Sequence, residues 1–239
     1  MDQIKATIPA LFFSFLLLSI SGTAYSQNNN PGDLIWSVEF EENVREASPT
    51  VVDGVAYIAD LYTIFAIDIS NGDIIWDTEL DNPIYESPAV VDGVLYIGDQ
   101  SRLVYAFDIT DGSNIWTQDE YYSTSLSRAL TTVFGDVVYM STGSDHNLNN
   151  GWLRALDAAT GDMIWEYETV LSARNNSPVV DNNIVYIGDS SGRLYAVDAL
   201  TGDELWVFNS GQNSIHSSAT VHNGVVYTVF NKVLPDDGS

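Results

Sequence analysis

One eleven-residue stretch keeps returning along this chain and restricts its fold more than any other feature. Ala155 to Trp165 reads ALDAATGDMIW. The same frame gives AIDISNGDIIW (Ala66 to Trp76), AFDITDGSNIW (Ala106 to Trp116) and AVDALTGDELW (Ala196 to Trp206), and a shortened copy, GDLIW, ends at Trp36. The tryptophans that end these copies stand 40, 40, 49 and 41 residues apart, so one unit carries an insertion. A second landmark keeps step, an apolar run centred on Tyr57, Tyr96, Tyr139, Tyr186 and Tyr227. Self-similarity at a period near forty residues means one supersecondary unit stacked on copies of itself, because one unit alone cannot bury its apolar faces.

Each unit divides into four strands. The first follows Ser-Pro, as in SPTVV (Ser48 to Val52), SPAVV (Ser87 to Val91) and SPVV (Ser177 to Val180). It ends at Asp53-Gly54, Asp92-Gly93, Asn182-Asn183 or Asn223-Gly224, pairs that tolerate positive φ and suit a tight hairpin. Gly135 and Asp136 come in the opposite order, which predicts a looser turn. The second strand is apolar on both alternating sets, Val55, Tyr57 and Ala59 against Ala56 and Ile58, so both sheet faces must be covered. The third strand leads into Ala-x-Asp and the fourth carries the Trp. No stretch keeps a helical period.

Four antiparallel strands repeated about every forty residues predict an all-β fold, a β-propeller of four-stranded blades. A solenoid, the structural rival, would use shorter rungs. From Gly32 the chain supplies an outer strand (Leu34 to Phe40), four complete units and two strands of another (Ala219 to Val221 and Val225 to Phe230). That is about five blades' worth, expected as an incomplete or open ring. Bare apolar edges invite pairing, so self-association through open blade edges is expected.

The pattern A-x-D-x-x-T-G-x-x-x-W, complete at Ala155, Asp157, Thr160, Gly161 and Trp165 and at Ala196, Asp198, Thr201, Gly202 and Trp206, resembles the tryptophan-docking motif of quinoprotein-like propellers. Asn71 and Asp111 replace the Thr in the two earlier copies and are expected to weaken them. The resemblance implies that Trp36, Trp76, Trp116, Trp165 and Trp206 pack on neighbouring blades. Asp68, Asp108, Asp157 and Asp198 would cap the turns, and Gly72, Gly112, Gly161 and Gly202 would shape them. The family includes pyrroloquinoline-quinone dehydrogenases and the propeller of the outer-membrane assembly machinery.

Residues 1–26 read as a secretory signal: Lys5, an apolar run from Ile8 to Ile20, then small residues at Ala24 and Ser26 before a cut. Residues 27–31 form a linker and 32–239 the repeats. The chain is expected to be exported, periplasmic or extracellular, and no later stretch could span a bilayer. It has no cysteine, which excludes disulfides and thiolate metal sites. Eight Lys and Arg against 33 Asp and Glu give a net charge of −25, which repels nucleic acid and anionic lipid.

Propeller sites gather where the loop after the fourth strand meets the loop between second and third strands. Counting back from the strand tyrosines places Arg45, Arg128 and Arg174, with Tyr85 and His216, at the entry to the innermost strand. Together they would form a small basic ring suited to an anion or carboxylate, although each Arg could instead pair with a nearby acid such as Glu42 or Glu46. Arg102 and Arg193 read as solvated loop residues. The insertion, GSDHNLNNGW, puts Asp145 and Asn147 on the same face and ends in Trp152, a candidate ligand contact; it lacks the closing acid of a calcium loop. His146, His216 and His222 show no metal-ligand spacing, and no nucleophile–base pair stands out, so no catalytic residue is assigned.

These observations describe an exported, non-catalytic binding or scaffolding propeller whose partner is a protein or small anionic ligand, with no cofactor expected. The alternatives are a piece of a quinone-dependent dehydrogenase, which would take pyrroloquinoline quinone with calcium, and a calcium-stabilised surface or adhesion protein.

Overall fold

The computed structural model describes residues 23–24, 36–38, 40, 47–118, 129–143, 150–173, 176–211, 214–215 and 217–231. Strands β1 (Thr23–Ala24) and β2 (Trp36–Ser37) pair antiparallel. The first four-stranded sheet is β3 (Thr50–Val52), β4 (Val55–Ala59), β5 (Thr63–Asp68) and β6 (Ile74–Glu79). The second is β7 (Ala89–Val91), β8 (Val94–Gly98), β9 (Val104–Asp108) and β10 (Asn114–Gln118). The third is β11 (Ala129–Phe134), β12 (Val137–Thr142), β13 (Gly151–Asp157) and β14 (Met163–Thr169). The fourth is β15 (Val179–Asp181), β16 (Ile184–Gly188), β17 (Arg193–Asp198) and β18 (Glu204–Asn209). After β19 (Ser214–Ile215), β20 (Thr220–His222) and β21 (Val225–Tyr227) begin a fifth, and β22 (Phe230–Asn231) pairs with β19.

Every four-stranded sheet is an antiparallel meander, and the first strands touch in the series β3, β7, β11, β15, β20. That is the arrangement of propeller blades, in an all-β chain whose described residues do not close a ring. The hairpins form as their residue pairs predict: Asp53 and Gly54 take φ of 47° and 84°, Asp92 and Gly93 of 49° and 81°, and Asn182 and Asn183 of 50° and 60°. At Gly135-Asp136 only the glycine is positive, at 58°, so this turn differs from the others.

The cores lie between sheets. Tyr57, Ala66 and Trp76 of the first sheet share one cluster with Leu95, Tyr105 and Phe107 of the second. Tyr96, Ala106 and Trp116 then meet Val138, Met140 and Leu156, and Tyr139, Ala155 and Trp165 meet Val185, Tyr195 and Val197. Each Trp also lies tilted against the Tyr of its own sheet, with centroids 5.9 Å apart at Tyr57–Trp76, Tyr96–Trp116 and Tyr139–Trp165.

The indole nitrogens reach across these seams. Trp36, Trp76, Trp116 and Trp165 donate to the carbonyls of Ile69, Ile109, Ala158 and Ala199 at 2.6, 2.8, 2.9 and 3.0 Å. Their rings cover Gly72, Gly112, Gly161 and Gly202, where a Cβ would meet ring carbon at 3.0, 2.7, 2.8 and 2.8 Å. These glycines hold φ between 72° and 80°, so any side chain meets both a steric and a backbone penalty. The turn beneath is fixed by Asp: Gly161 N donates to Asp157 O at 2.8 Å, and Ala159 N and Thr160 N donate to Asp157 Oδ1. Asn71 and Asp111 accept from the amides of Asp73 and Ser113, both at 2.9 Å, as Thr160 does from Asp162 N. The two earlier turns therefore keep the cap that loss of Thr was expected to weaken.

A β-bulge precedes Trp76, Trp116, Trp165 and Trp206. Ala66 pairs with Trp76 but Ile67 pairs with Ile74, leaving Ile75 over; Ile115, Ile164 and Leu205 are the extra residues in the other sheets. All four are about half exposed, at 48–50%.

Buried polar side chains just ahead of the Ser-Pro steps add a second tie. Glu86 accepts from Gly98 N in its own sheet, and from Thr131 N (2.7 Å) and Thr131 Oγ1 (3.1 Å) in the next. Asn176 occupies the matching place two units on, donating to Gly188 O at 3.0 Å and Ile215 O at 2.9 Å. Burial pushes the Glu86 carboxyl up to about 8 despite its three donors, and Asp99 nearby adds to the rise.

Trp165→Ala should cost about 3–5 kcal/mol in chemical denaturation. Trp206→Ala should cost clearly less, because Trp206 is 40% exposed against 8% for Trp165. Equal losses would mean that the seam does not carry the stability. The raised Glu86 pKa means that the folded chain holds a proton the unfolded chain releases. Its contribution is therefore fully present below the ordinary carboxylate range and is lost as pH rises toward 8. Relative to Glu86→Gln, the wild type should lose roughly 1 kcal/mol per pH unit between about pH 5 and 8; parallel stability profiles would refute this.

Candidate loop face

Among the described residues, loops that follow fourth strands lie against loops joining second and third strands, so the two sets share one face. Leu80 N donates to Tyr62 O at 2.8 Å and Ile84 N to Leu61 O at 2.7 Å. Gln100 N reaches Pro83 O at 2.8 Å, and Ser190 N reaches Ser172 O at 3.0 Å. The Ser-Pro steps join neighbouring first strands: Ser48 N donates to Ser87 Oγ at 2.7 Å and Ser177 N to Ser218 Oγ at 2.9 Å.

Under this face lie carboxylates that the sequence reading passed over. Asp60, Asp99 and Asp189 are almost completely buried, each three residues after a strand tyrosine. Asp189 Oδ1 accepts from Ser191 N, Ser191 Oγ and Arg193 N, and its Oδ2 takes the Tyr195 hydroxyl at 2.7 Å. Asp99 repeats this with Ser101 N, Leu103 N and Tyr105. Burial raises Asp99, and it also pushes Tyr195 up to about 12. These carboxylates are occupied as turn caps, which suits rigidity and leaves little capacity for proton transfer. The YIAD and YIGD runs that encode them were legible as a repeated Asp, but the sequence does not show that it is buried.

The third unit departs from this pattern on both strands. Thr142 stands where the first, second and fourth units have Asp, and Arg154 stands where the second and fourth have Tyr105 and Tyr195. Arg154 is buried, with Nε 3.3 Å from Glu166 Oε2 and Nη1 3.5 Å from Thr142 Oγ1. Its guanidinium carbon lies 5.2 Å from the ring centroid of half-buried Trp152, which is a cation–π contact. Arg102, expected in solvent, is 5% exposed with φ of 69°, because its tight turn folds it inward.

Of the expected basic ring, half-buried Tyr85 is described, next to the Ile84–Asp99 bridge. Arg45, Arg128, Arg174, His216, Asp145 and Asn147 lie outside the described residues. Strand register nevertheless separates the ring into two positions. Thr50, Ala89, Thr132, Val179 and Thr220 all pair with the strand tyrosines. Arg45 and Arg174 stand five residues before this point, as do the buried Ile84 and Ile215, whereas Tyr85, Arg128 and His216 stand four before it. The sequence reading merges positions 12 and 11 residues before the tyrosines into one, although the paired residue stands seven before the tyrosine in every unit. Among the described residues, no group of three or more His, Cys, Asp or Glu side chains is placed to hold a metal ion.

Residues 20–234 match the family described as outer membrane protein assembly factor BamB. BamB from Moraxella catarrhalis superposes with a TM-score of 0.63 at 22% identity, covering 79% of this chain and 56% of that one. Quinohemoprotein alcohol dehydrogenase ADHIIG from Pseudomonas putida HK5 gives 0.62 at 18% identity, over 80% of this chain and 39% of that one. The corresponding enzyme from Comamonas testosteroni gives 0.61 at 18% identity, over 78% and 39%. The chain thus spans about half the length of the BamB structure and about two fifths of the dehydrogenases. At these identities the structural likeness shows the fold alone. No curated protein sequence matches the chain significantly. The chain belongs to the PQQ-repeat β-propeller family described as outer membrane protein assembly factor BamB.

Proposed function

We propose that this chain is an exported, non-catalytic propeller that binds a protein or small anionic partner on its loop face, as a scaffolding module resembling the BamB propeller. The observation that carries this reading is the construction of that face. The described loops of neighbouring strands are hydrogen-bonded into one surface, and the carboxylates beneath it are consumed as turn caps. Arg45, Arg128 and Arg174, read from the sequence alone, would supply positive charge in a chain of net charge −25. The family match supports the comparison with BamB, and the leader at residues 1–26 supports export.

A second reading rests on the quinohemoprotein dehydrogenases among the fold neighbours: the chain would form part of such an enzyme and bind pyrroloquinoline quinone with calcium. A thermal melt separates the two readings. A rise in the midpoint that needs both additives favours the dehydrogenase; an unchanged midpoint favours the binding module.

Two further outcomes test the first reading. Secreted protein should have the mass of a chain beginning at Gln27, and full-length protein retained inside the cell would refute export. Reversing Arg45, Arg128 and Arg174 to Glu should abolish retention on an oligo-glutamate surface at low salt while leaving the melting midpoint nearly unchanged. Undiminished retention would dismiss the basic positions as the site.

A further inference from the structure

At the end of the sheets opposite the loop face, the turns joining first to second strands lie beside those joining third to fourth strands. Ile109 N donates to Gly93 O at 3.2 Å, and Ala158 N to Asp136 O at 2.9 Å. Three places at this end differ in bulk from seam to seam. Between the first and second units they hold Asp92, Ile109 and Thr110, and between the third and fourth Asn182, Ala199 and Leu200. Between the second and third they hold Gly135, Ala158 and Ala159, the smallest set of the three. The swapped turn Gly135-Asp136 is the source of the first loss. Gly135 stands where its neighbours have Asp92 and Asn182, at a similar positive φ, 58° against 49° and 50°.

A cavity of about 380 Å³ opens at this seam, walled by Val91, Val94 and Ile115 of the second unit and by the three small residues of the third. Asp92, Asp136 and Asp157 border it as well, so carboxylates reach it from both units. Those of Asp92 and Asp136 are exposed and have no hydrogen-bond donor or ion pair among the described residues. Asp157 uses its Oδ1 for the amides of its own turn. Buried Tyr96, also in the lining, donates to Ala158 O at 3.2 Å. Burial raises the pKa of its hydroxyl, and Asp92, Asp157 and Asp136 add to the rise, so the fields of all three carboxylates converge there. They are not grouped to share a metal ion. Spread negative charge over apolar walls suits an extended organic cation instead.

We propose that this cavity receives an arginine side chain from a basic segment of a partner protein. The aliphatic stem of arginine matches the walls at Val91, Val94 and Ile115. Its planar fork of donors can serve carboxylates on both sides of the seam, which a point-charge ammonium does less well. The net charge of −25 draws a basic partner from a distance. A free amino acid would bring its own α-carboxylate up to three like charges, whereas a peptide bond removes that charge. The cavity lies at the far end of the sheets from the loop face, so its failure as a site leaves the loop-face reading untouched.

The probe is an end-blocked Gly-Gly-Arg-Gly-Gly peptide carrying an uncharged dye, titrated with the whole chain and followed by fluorescence anisotropy. Physiological salt screens exposed charges beyond about 8 Å, which suppresses diffuse attraction. Gly135→Asn/Ala159→Leu copies Asn182 and Leu200 and fills the cavity without changing net charge. Asn tolerates the positive φ, and a Cβ at Gly135 meets nothing within 4 Å, so this variant should keep the melting midpoint while losing saturable binding. Asp92→Asn/Asp136→Asn should weaken binding about tenfold. Asp53→Asn/Asp77→Asn makes the same charge change elsewhere and should leave the affinity within about twofold. If the filling variant does not fold, the two charge pairs decide alone. No saturable binding by the unsubstituted chain, undiminished binding by a folded filling variant, or equal losses in the two charge pairs would each overturn the proposal. Displacement by free arginine as effective as by unlabelled peptide would assign the cavity to a small molecule and overturn the protein partner.

Discussion

The fold depends on an indole resting on a glycine. A sheet of this size presents two apolar faces, and neither can be covered from within its own unit. The Trp covers one face by crossing to the next unit, and its N–H fixes the distance by finding a backbone carbonyl there. Glycine is required because its missing Cβ is the space the ring fills. One residue pair thus supplies apolar burial, a directional bond and a steric gauge, repeated at every completed seam. The sheets behave as a series in which each stabilises the next.

The architecture was legible from a single line of sequence because its devices are local. Asp-Gly and Asn-Asn at the hairpins, alternating apolar residues around Tyr57, and the Asp-to-Trp frame each express a backbone requirement within a few residues. The loop face was less legible because its order depends on contacts between units. Nothing near Glu86 in the sequence announces that Thr131 will hold it, and Asp189 looks like any turn residue until Tyr195 is folded onto it. The basic ring shows the same limit. Residues 11 and 12 before the tyrosines, read together as one ring, fall into two register positions once strand pairing replaces counting.

The exchange in the third unit shows how one layer can change charge without losing its construction. Tyr–Asp in the second and fourth units becomes Arg–Thr in the third, with Glu166 taking part of the balance. Both solutions satisfy buried polar atoms between the second and third strands. They differ in sign, and the positive version lies beside the insertion. A repeat scaffold lets one unit acquire such a change while its neighbours keep the original pair.

The bulge before the Trp of each complete fourth strand has a consequence for the outer circumference. Ile75, Ile115, Ile164 and Leu205 are exposed aliphatic residues on strands whose outer edges have no ladder partner among the described residues, which is the combination from which cross-β stacking starts. An unpaired residue in each of these strands bends the edge and spoils its spacing for a straight incoming strand. The kink that accompanies each indole therefore also guards the rim against lateral fibril growth.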